Sequence, residues 1–148
     1  MKVDDALLGV TRLYLDTAPI IYFIEANPRY DAVDLEIFGR IHSGSISGVT
    51  SVISLTEVLV QPLRLGRRDL EASYNNLLLS SRHFATLSIE AVAAQHAAVL
   101  RAQYNLRTPD ALQMALAIAT GSDAFLTNDV DLRRVTEVRV LVVDDLEL

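Results

Sequence analysis

Short apolar runs that alternate with segments of helical periodicity constrain the fold of this chain more than any other feature. Between the runs, apolar residues recur every three or four positions, as in amphipathic helices that bury one face. Strands that alternate with helices predict an α/β fold, here a three-layer α/β/α sandwich around a central, mostly parallel five-stranded sheet. The five runs predicted as strands are 12–15, 46–53, 84–87, 124–127 and 138–143.

The boundaries of several helices can be predicted from capping patterns. The pattern from Ser54 to Glu57 matches a capping box, so we expect a helix to begin at Ser54 and to be bent or broken at Pro62. Thr108 is the expected N-cap of a later helix, with Pro109 at its first position. Further helices are predicted after Asp16, with Pro19 in the first turn, and at 31–43, around 70–78 and at 89–104.

The length of 148 residues fits one domain, 1–148, in which we expect residues 1–11 to be a short polar leader. The chain has no cysteine, which excludes thiolate metal sites and is typical of a reducing cytoplasm. Acidic Asp4 and Asp5 stand where a signal peptide would be basic, and no apolar run reaches the roughly 18 residues of a membrane span. The expected location is the cytoplasm, with no membrane partner.

Four carboxylates stand where a strand ends or a helix begins. They are Asp16, Glu57, Asp110 and Asp129. In parallel α/β sheets, residues at the carboxyl ends of strands converge in space even when they are remote in sequence. Clustered carboxylates without thiols favour hard cations such as Mg²⁺ or Mn²⁺, which can activate water against a phosphodiester. The pattern predicts a metal-dependent nuclease.

Each acid also has a structural interpretation. Glu57 can complete the capping box, Asp110 can stabilise a helix N-terminus, and Asp129 can turn the chain after a strand. Asp16 is harder to explain in this way, because it directly follows a buried strand, where an unpaired charge is costly. Asp131 is a reserve candidate. Since the individual interpretations remain open, the hypothesis depends on the four acids together.

The basic residues restrict the chemistry further. Lys2 is the only lysine among thirteen Lys and Arg residues, which excludes P-loop proteins and the phosphatase and receiver folds that need a lysine late in the chain. Despite the net charge of −6, arginines could contact phosphate, and Arg107 is the best candidate because it precedes Asp110 by three residues. His96 falls on an apolar helical line with Val92 and Val99 and is expected in the core, whereas His42 and His83 are expected on the surface. A G-x-S-x-G serine hydrolase motif is missing.

Each of the four acids lies in a segment that matches a known motif. The first segment runs from Leu15-Asp16-Thr17 to Glu25, and the second is Ser54-Leu55-Thr56-Glu57-Val58-Leu59. The third is Arg107-Thr108-Pro109-Asp110-Ala111-Leu112 and the fourth Leu126-Thr127-Asn128-Asp129. Together these segments resemble the motifs of the PIN-domain ribonucleases, and among them the VapC-like toxins of bacterial type II toxin–antitoxin modules. Two positions depart from the usual pattern: Ala18 replaces a polar residue and Leu116 a small or hydroxylated one.

The resemblance implies that Asp16, Glu57, Asp110 and Asp129 bind Mg²⁺ or Mn²⁺ and activate water to cleave single-stranded RNA. It assigns supporting roles to Thr17, Thr127 and Asn128, and it implies a homodimer that is neutralised by a small antitoxin. Two alternatives remain. One is a PIN-type RNA-processing nuclease without an antitoxin, and the other is an RNA-binding module that does not cleave.

Overall fold

The computed structural model describes residues 1–148 and contains a five-stranded sheet in which every neighbouring pair of strands is parallel. The strand order is β3-β2-β1-β4-β5, so β1 is central. The strands are β1 (Arg12–Leu15), β2 (Ser47–Ser51), β3 (Phe84–Leu87), β4 (Ala124–Thr127) and β5 (Arg139–Val142). The predicted fold class is therefore confirmed.

Helices cover both faces of the sheet because successive strand residues point to opposite sides. Leu13 and Leu15 of β1 pack into one apolar cluster with the first five helices, while Tyr14 packs into the other with the last two. The helices are α1 (Val3–Ala6), α2 (Thr17–Ile24), α3 (Asp31–Ser43), α4 (Val52–Leu65), α5 (Arg68–Ser80), α6 (Ala91–Tyr104) and α7 (Thr108–Ala119). No helix is both long and apolar enough to cross a membrane.

The strand order places a topological switch point beside the central strand. From β1 the chain builds outward through β2 and β3, and then returns to add β4 and β5 on the opposite side of β1. Loops after β1 and β4 therefore diverge at the carboxyl edge of the sheet and leave a crevice there, which is the usual ligand position in such folds.

The N-terminal segment is not the polar leader that the sequence suggested. Residues Val3 to Ala6 form α1, and Val3, Ala6, Leu7 and Val10 are all buried in the apolar cluster that includes α3. The parallel bridge between Lys2 and Glu147 joins this segment to the C-terminus. The segment was predicted to be polar because of Asp4 and Asp5, which are exposed on the opposite face of α1 from its buried residues.

The start of α4 corrects the predicted capping box. The strand predicted at 46–53 ends at Ser51, and Ser51, not Ser54, is the N-cap: its hydroxyl accepts a hydrogen bond from the Ile53 amide at 3.2 Å. Glu57 therefore lies in the second turn of α4, beyond the position from which a glutamate caps a helix. The capping interpretation of Glu57 is wrong, and its carboxylate is free to serve the site.

Three smaller expectations also differ from the structure. The helix α4 continues through Pro62 to Leu65 and ends at left-handed Gly66. Thr108 is the first residue of α7, after Arg107, and caps nothing with its side chain. On α6 the buried face consists of Ala93, Ala97 and Leu100, so that Val92 and Val99 are exposed and His96 is only half-buried.

Candidate active site

All four predicted carboxylates line one cleft at the carboxyl edge of the sheet. The cleft has a volume of about 290 Å³ and is lined by Asp16, Thr17, Ala18, Ile21, Glu57, Arg107, Pro109, Asp110, Gln113 and Asp129. Asp16 follows the central strand, Asp129 follows the adjacent strand β4, and Glu57 and Asp110 project from α4 and α7. The convergence expected from the strand ends is thus observed.

Asp16 is held by two hydrogen bonds from the residues around it. Its Oδ1 accepts from the Thr17 backbone amide at 2.8 Å, as the N-cap of α2, and its Oδ2 accepts from the Thr127 hydroxyl at 2.8 Å. The Thr127 hydroxyl in turn accepts from the Asp129 amide at 3.1 Å. One threonine therefore fixes the Asp16 carboxylate relative to the turn that carries Asp129.

The electrostatics of the cleft reflect crowding of negative charge. Burial raises the pKa of Asp16, and the charges of Asp110 and Asp129 raise it further against the lowering effect of its hydrogen bonds. Partial burial, and then the charge of Asp16, raise the pKa of Glu57. Both shifts show that the cleft disfavours its own negative charges, so a cation there would gain from neutralising them.

Asp110 is engaged by a cation of the chain itself. The Arg107 Nε donates to its Oδ2 at 3.0 Å, and the pair lies at the first turn of α7. The Arg107 side chain is 76% exposed, whereas that of Asp110 is 13% exposed. Because ion pairs with an exposed partner contribute only about 0 to 1 kcal/mol, Asp110 can exchange Arg107 for another cation at little cost.

The acids surround the cleft without forming a ready-made ligand cluster. No three Asp, Glu or His side chains, as they stand, are placed to hold one metal ion. The side chains that line the cleft nevertheless suit a hard divalent cation. They offer carboxylate oxygens from four residues, and no histidine or cysteine lines the cleft to favour a softer metal. Such an ion would compete with Arg107 for the Asp110 carboxylate.

The supporting residues predicted from the sequence have distinct positions. Thr17 lines the cleft, and Asn128 lies outside it. The Asn128 side-chain amide donates to the hydroxyls of Tyr22 and Tyr30, each at 3.1 Å, and its oxygen accepts from the Asp144 amide at 3.0 Å. Asn128 therefore ties the loop before Asp129 to α2, to the start of α3 and to the chain end.

Asp131, the reserve candidate, is not part of the cleft lining. Its side chain is exposed, and only its backbone amide contacts the site, by donating to Asp129 Oδ1 at 3.0 Å. This contact caps the 3₁₀ turn Val130–Arg134, so the turn interpretation of Asp129 is correct alongside its place in the cleft. Asp131 contributes through its backbone alone.

One cleft residue, Gln113, was not identified from the sequence. It lies one turn after Asp110 on α7, is 1% exposed and reaches the cleft from below the carboxylates. The available signal was its position, since it is a polar residue within an otherwise apolar stretch from Ala111 to Ala117. A polar side chain there must find buried partners.

A family model described as PIN domain matches residues 13–138, which is most of the chain. Solved structures with the same fold include the DNA-bound VapBC of Salmonella typhimurium (TM-score 0.70, 19% identity), covering 90% of this chain and 98% of that one. Rickettsia felis VapBC2 bound to a promoter DNA fragment has a TM-score of 0.69 at 18% identity, covering 89% and 98%. A toxin–antitoxin complex from Klebsiella pneumoniae has a TM-score of 0.65 at 21% identity, covering 88% and 97%. No curated protein sequence matches the chain.

Proposed function

Because this chain belongs to the PIN domain family, whose members are nucleases, we propose that it is a Mg²⁺- or Mn²⁺-dependent endoribonuclease and the toxin of a toxin–antitoxin pair. The observation that carries the proposal is the convergence of Asp16, Glu57, Asp110 and Asp129 on one cleft at the switch point of the sheet. The proposed reaction is hydrolysis of a phosphodiester bond in single-stranded RNA.

Asp16, Asp110 and Asp129 hold the metal in this proposal, and Glu57 binds it or orients the attacking water. A divalent cation held by these carboxylates would lower the pKa of a bound water and neutralise charge that develops on the phosphate. Thr127 keeps the Asp16 carboxylate aimed into the cleft, and Asp129 stays fixed through its 3₁₀ turn. Arg107, released from Asp110, is placed to donate to an RNA phosphate with its planar guanidinium.

Metal binding can be tested before any RNA target is known. A ligand that binds only the folded protein raises its melting temperature by mass action, so millimolar Mn²⁺ is expected to shift the thermal midpoint upward. Calcium, which takes more oxygen ligands at longer distances than Mg²⁺, is the comparison ion. Identical melting curves with and without Mn²⁺ would favour the alternative of a non-catalytic RNA-binding module.

Solved structures that share this fold support the antitoxin partner. They are toxin–antitoxin complexes, and the chain covers 97% to 98% of the matching chains. If the chain is a toxin, its expression in bacteria arrests growth, and co-expression of a small open reading frame found next to its gene, as the antitoxin, relieves the arrest. Growth that is unaffected by expression, with RNA cleavage still detectable in vitro, would identify an RNA-processing nuclease instead.

We also propose a homodimer, which the exposed apolar residues of α6 support. Val92 and Val99 are 71% and 59% exposed, and a partner subunit would remove them from water. Sedimentation of the isolated protein at micromolar concentration measures this state. A monomer under these conditions would refute it.

Replacing Arg107 by alanine is expected to separate RNA binding from metal binding. The loss of one phosphate contact weakens RNA binding and lowers the slope of log affinity against log salt by about 1. Affinity for Mn²⁺ is retained or rises by a few fold, because Asp110 loses its competing partner. RNA binding, measured at several salt concentrations in a catalytically inactive background, gives the first effect. Calorimetric titration of Mn²⁺ gives the second.

The matched control for this variant is Arg67→Ala. Arg67 also pairs with a nearby carboxylate, Asp69, at 2.8 Å, but it lines no part of the cleft. It should change neither the salt slope nor the affinity for Mn²⁺. Equal losses in both variants would show that Arg107 contributes only general positive charge.

A further inference from the structure

A group of buried polar side chains lies directly beneath the acidic cleft, and Gln113 is at its centre. The Gln113 Oε1 accepts from the Tyr14 hydroxyl and, at 2.6 Å, from the Ser51 hydroxyl. Its Nε2 donates to the Ser54 Oγ at 2.8 Å, and the Ser54 Oγ lies 3.1 Å from the Thr17 Oγ1. These five residues, Tyr14, Thr17, Ser51, Ser54 and Gln113, form the buried polar cluster.

The buried polar cluster is almost completely shielded from water. Tyr14, Ser51 and Ser54 are 0% exposed, and Gln113 and Thr17 are 1% and 8% exposed. A buried polar network is costly unless its members are satisfied, and each of these side chains has a hydrogen-bond partner inside the cluster. An apolar side chain at position 113 would leave the hydroxyls of Tyr14, Ser51 and Ser54 without their present partner.

The cluster joins the elements that carry three of the four carboxylates. Thr17 directly follows Asp16, and Ser54 lies three residues before Glu57 on α4. Gln113 lies three residues after Asp110 on α7. Residues three apart on a helix share a face, so a hydrogen bond between Gln113 and Ser54 sets how closely Asp110 and Glu57 approach each other.

The hydrogen bonds of the buried polar cluster oppose the mutual repulsion of the carboxylates in the cleft. Like charges at the cleft repel one another and favour separation of α4 from α7, and no cation of the chain other than Arg107 lines the cleft to offset them. Neutral hydrogen bonds beneath the carboxylates hold the two helices together without adding to the repulsion. The cluster therefore maintains the spacing of the acids when no metal is bound.

We propose that Gln113 is a positioning residue that fixes the spacing of Glu57 and Asp110 for a divalent cation, through its hydrogen bonds to Ser54 and Ser51. The proposal rests on the proposed function, since it requires that the cleft bind such an ion. Outer residues that orient metal ligands commonly change metal affinity by 10- to 100-fold when they are replaced.

The test is calorimetric titration of Mn²⁺ into the folded protein, well below its melting temperature. Gln113→Met keeps the length and volume of the side chain and removes its hydrogen bonds, and its expected effect is a tenfold or greater loss of affinity. Ser54→Ala, which removes one of the three hydrogen-bond partners of Gln113 together with the contact to Thr17, is expected to lose affinity in the same direction. It also serves as the test variant if Gln113→Met does not fold.

The double variant shows whether the two residues act through their shared bond. Coupled residues give non-additive effects, so Gln113→Met combined with Ser54→Ala should bind Mn²⁺ about as weakly as Gln113→Met alone. Leu100→Ala is the stability control, because Leu100 is 2% exposed and packs on the same face of the sheet without joining the cluster. It should lower the melting temperature and leave Mn²⁺ affinity unchanged.

Three results would overturn the inference. Wild-type affinity in both Gln113→Met and Ser54→Ala would show that the cluster serves stability alone. A loss in Leu100→Ala equal to that in Gln113→Met would assign the effect to general destabilisation. Wild-type protein that binds no Mn²⁺ at all would refute the proposed function. This result differs from a failure of the inference about Gln113, because it is seen without any variant.

Discussion

Replacing Asp16 by asparagine is expected to reduce Mn²⁺-dependent RNA cleavage on the order of a thousandfold, equivalent to about 4 kcal/mol of transition-state stabilisation. Asp16 follows the central strand and is the carboxylate held from both sides, by the Thr17 amide and the Thr127 hydroxyl. Asparagine has the same shape but no charge, so the pocket is preserved while the metal loses an anionic ligand. Cleavage of a labelled single-stranded RNA pool measures the loss.

The same substitution should not destabilise the metal-free protein. Asp16 is buried beside Asp110 and Asp129, and their charges oppose its own. Removing one charge relieves this repulsion, so the melting temperature without metal stays the same or rises. The upward shift with Mn²⁺ should be lost. A variant that melts higher but no longer responds to Mn²⁺ would separate the role of Asp16 in the site from a role in the fold.

Asp131→Asn is the matched control for Asp16→Asn. Both substitutions remove one carboxylate charge, but the Asp131 side chain is exposed and lies outside the cleft lining. Its backbone contact to Asp129 is unaffected by a side-chain change. Cleavage should remain at the wild-type level. Full cleavage by Asp16→Asn, or an equal loss in Asp131→Asn, would contradict the assignment.

The second large effect concerns stability and comes from Asp34, which lies on α3 and does not line the cleft. Asp34 lies in the first turn of α3, is 0% exposed, and neither carboxylate oxygen has a hydrogen-bond partner. Burial raises the pKa of Asp34 from its ordinary value of 3.8 to about 7, with a further contribution from the charge of Asp31. At pH values between these two pKa values, the folded protein therefore keeps a proton on Asp34 that the unfolded chain has released.

The sign of the pH effect follows from this difference in proton binding. Between about pH 4 and pH 7 the folded state binds more protons than the unfolded state, so its stability falls as the pH rises. The loss is about 1.4 kcal/mol per pH unit and about 4 kcal/mol in total, and it is complete above the folded pKa. Stability from this group is fully present only below about pH 4.

Asp34→Asn should remove this dependence, because asparagine is neutral throughout. The free energy of unfolding of the variant, relative to that of the wild type, is expected to rise by about 3 kcal/mol from pH 5 to pH 8. Urea unfolding at both pH values measures this difference. Asp31→Asn, which removes only the neighbouring charge, should gain far less. An Asp34→Asn advantage that is the same at pH 5 and pH 8 would show that Asp34 does not retain its proton in the folded state.

The sheet and most of the site could be predicted from the sequence because they depend on local periodicity and on one rule of topology. Asp16 and Asp129 follow apolar strands, and parallel strands end at one edge, so their convergence needs no knowledge of side-chain contacts. Glu57 and Asp110 were candidates because they stand near predicted helix starts, and the resemblance of their segments to known motifs supported the same assignment, although local patterns alone favoured helix capping for Glu57.

The errors occurred where tertiary contacts override local preference. Val52 and Ile53 are β-branched and favour a strand, but they form the first turn of α4, because the chain must turn at Ser51 to cover the sheet. No sequence pattern singled out Asp34, because an acid in the first turn of a helix is ordinarily exposed and stabilised by the helix dipole; only its packing shows that it is buried. Sequence periodicity reports neither the turn nor the burial.

The buried polar cluster could not be predicted for a related reason. Its members come from β1, α2, the end of β2, α4 and α7, and each one taken alone is an ordinary residue of its segment. Tyr14 is compatible with a strand and Gln113 with a helix. Their hydrogen bonds exist only after the sheet has brought these elements together, so the cluster becomes visible in the structure alone.

A crystal structure of the protein soaked in Mn²⁺ would show whether the acidic cleft is a divalent metal site. Anomalous scattering locates manganese without reference to activity or to an RNA target. Manganese is expected in the cleft lined by Asp16, Glu57, Asp110 and Asp129, with Arg107 displaced from Asp110. A cleft without manganese, or manganese only at the surface acids Asp4, Asp5 and Glu36, would contradict this expectation.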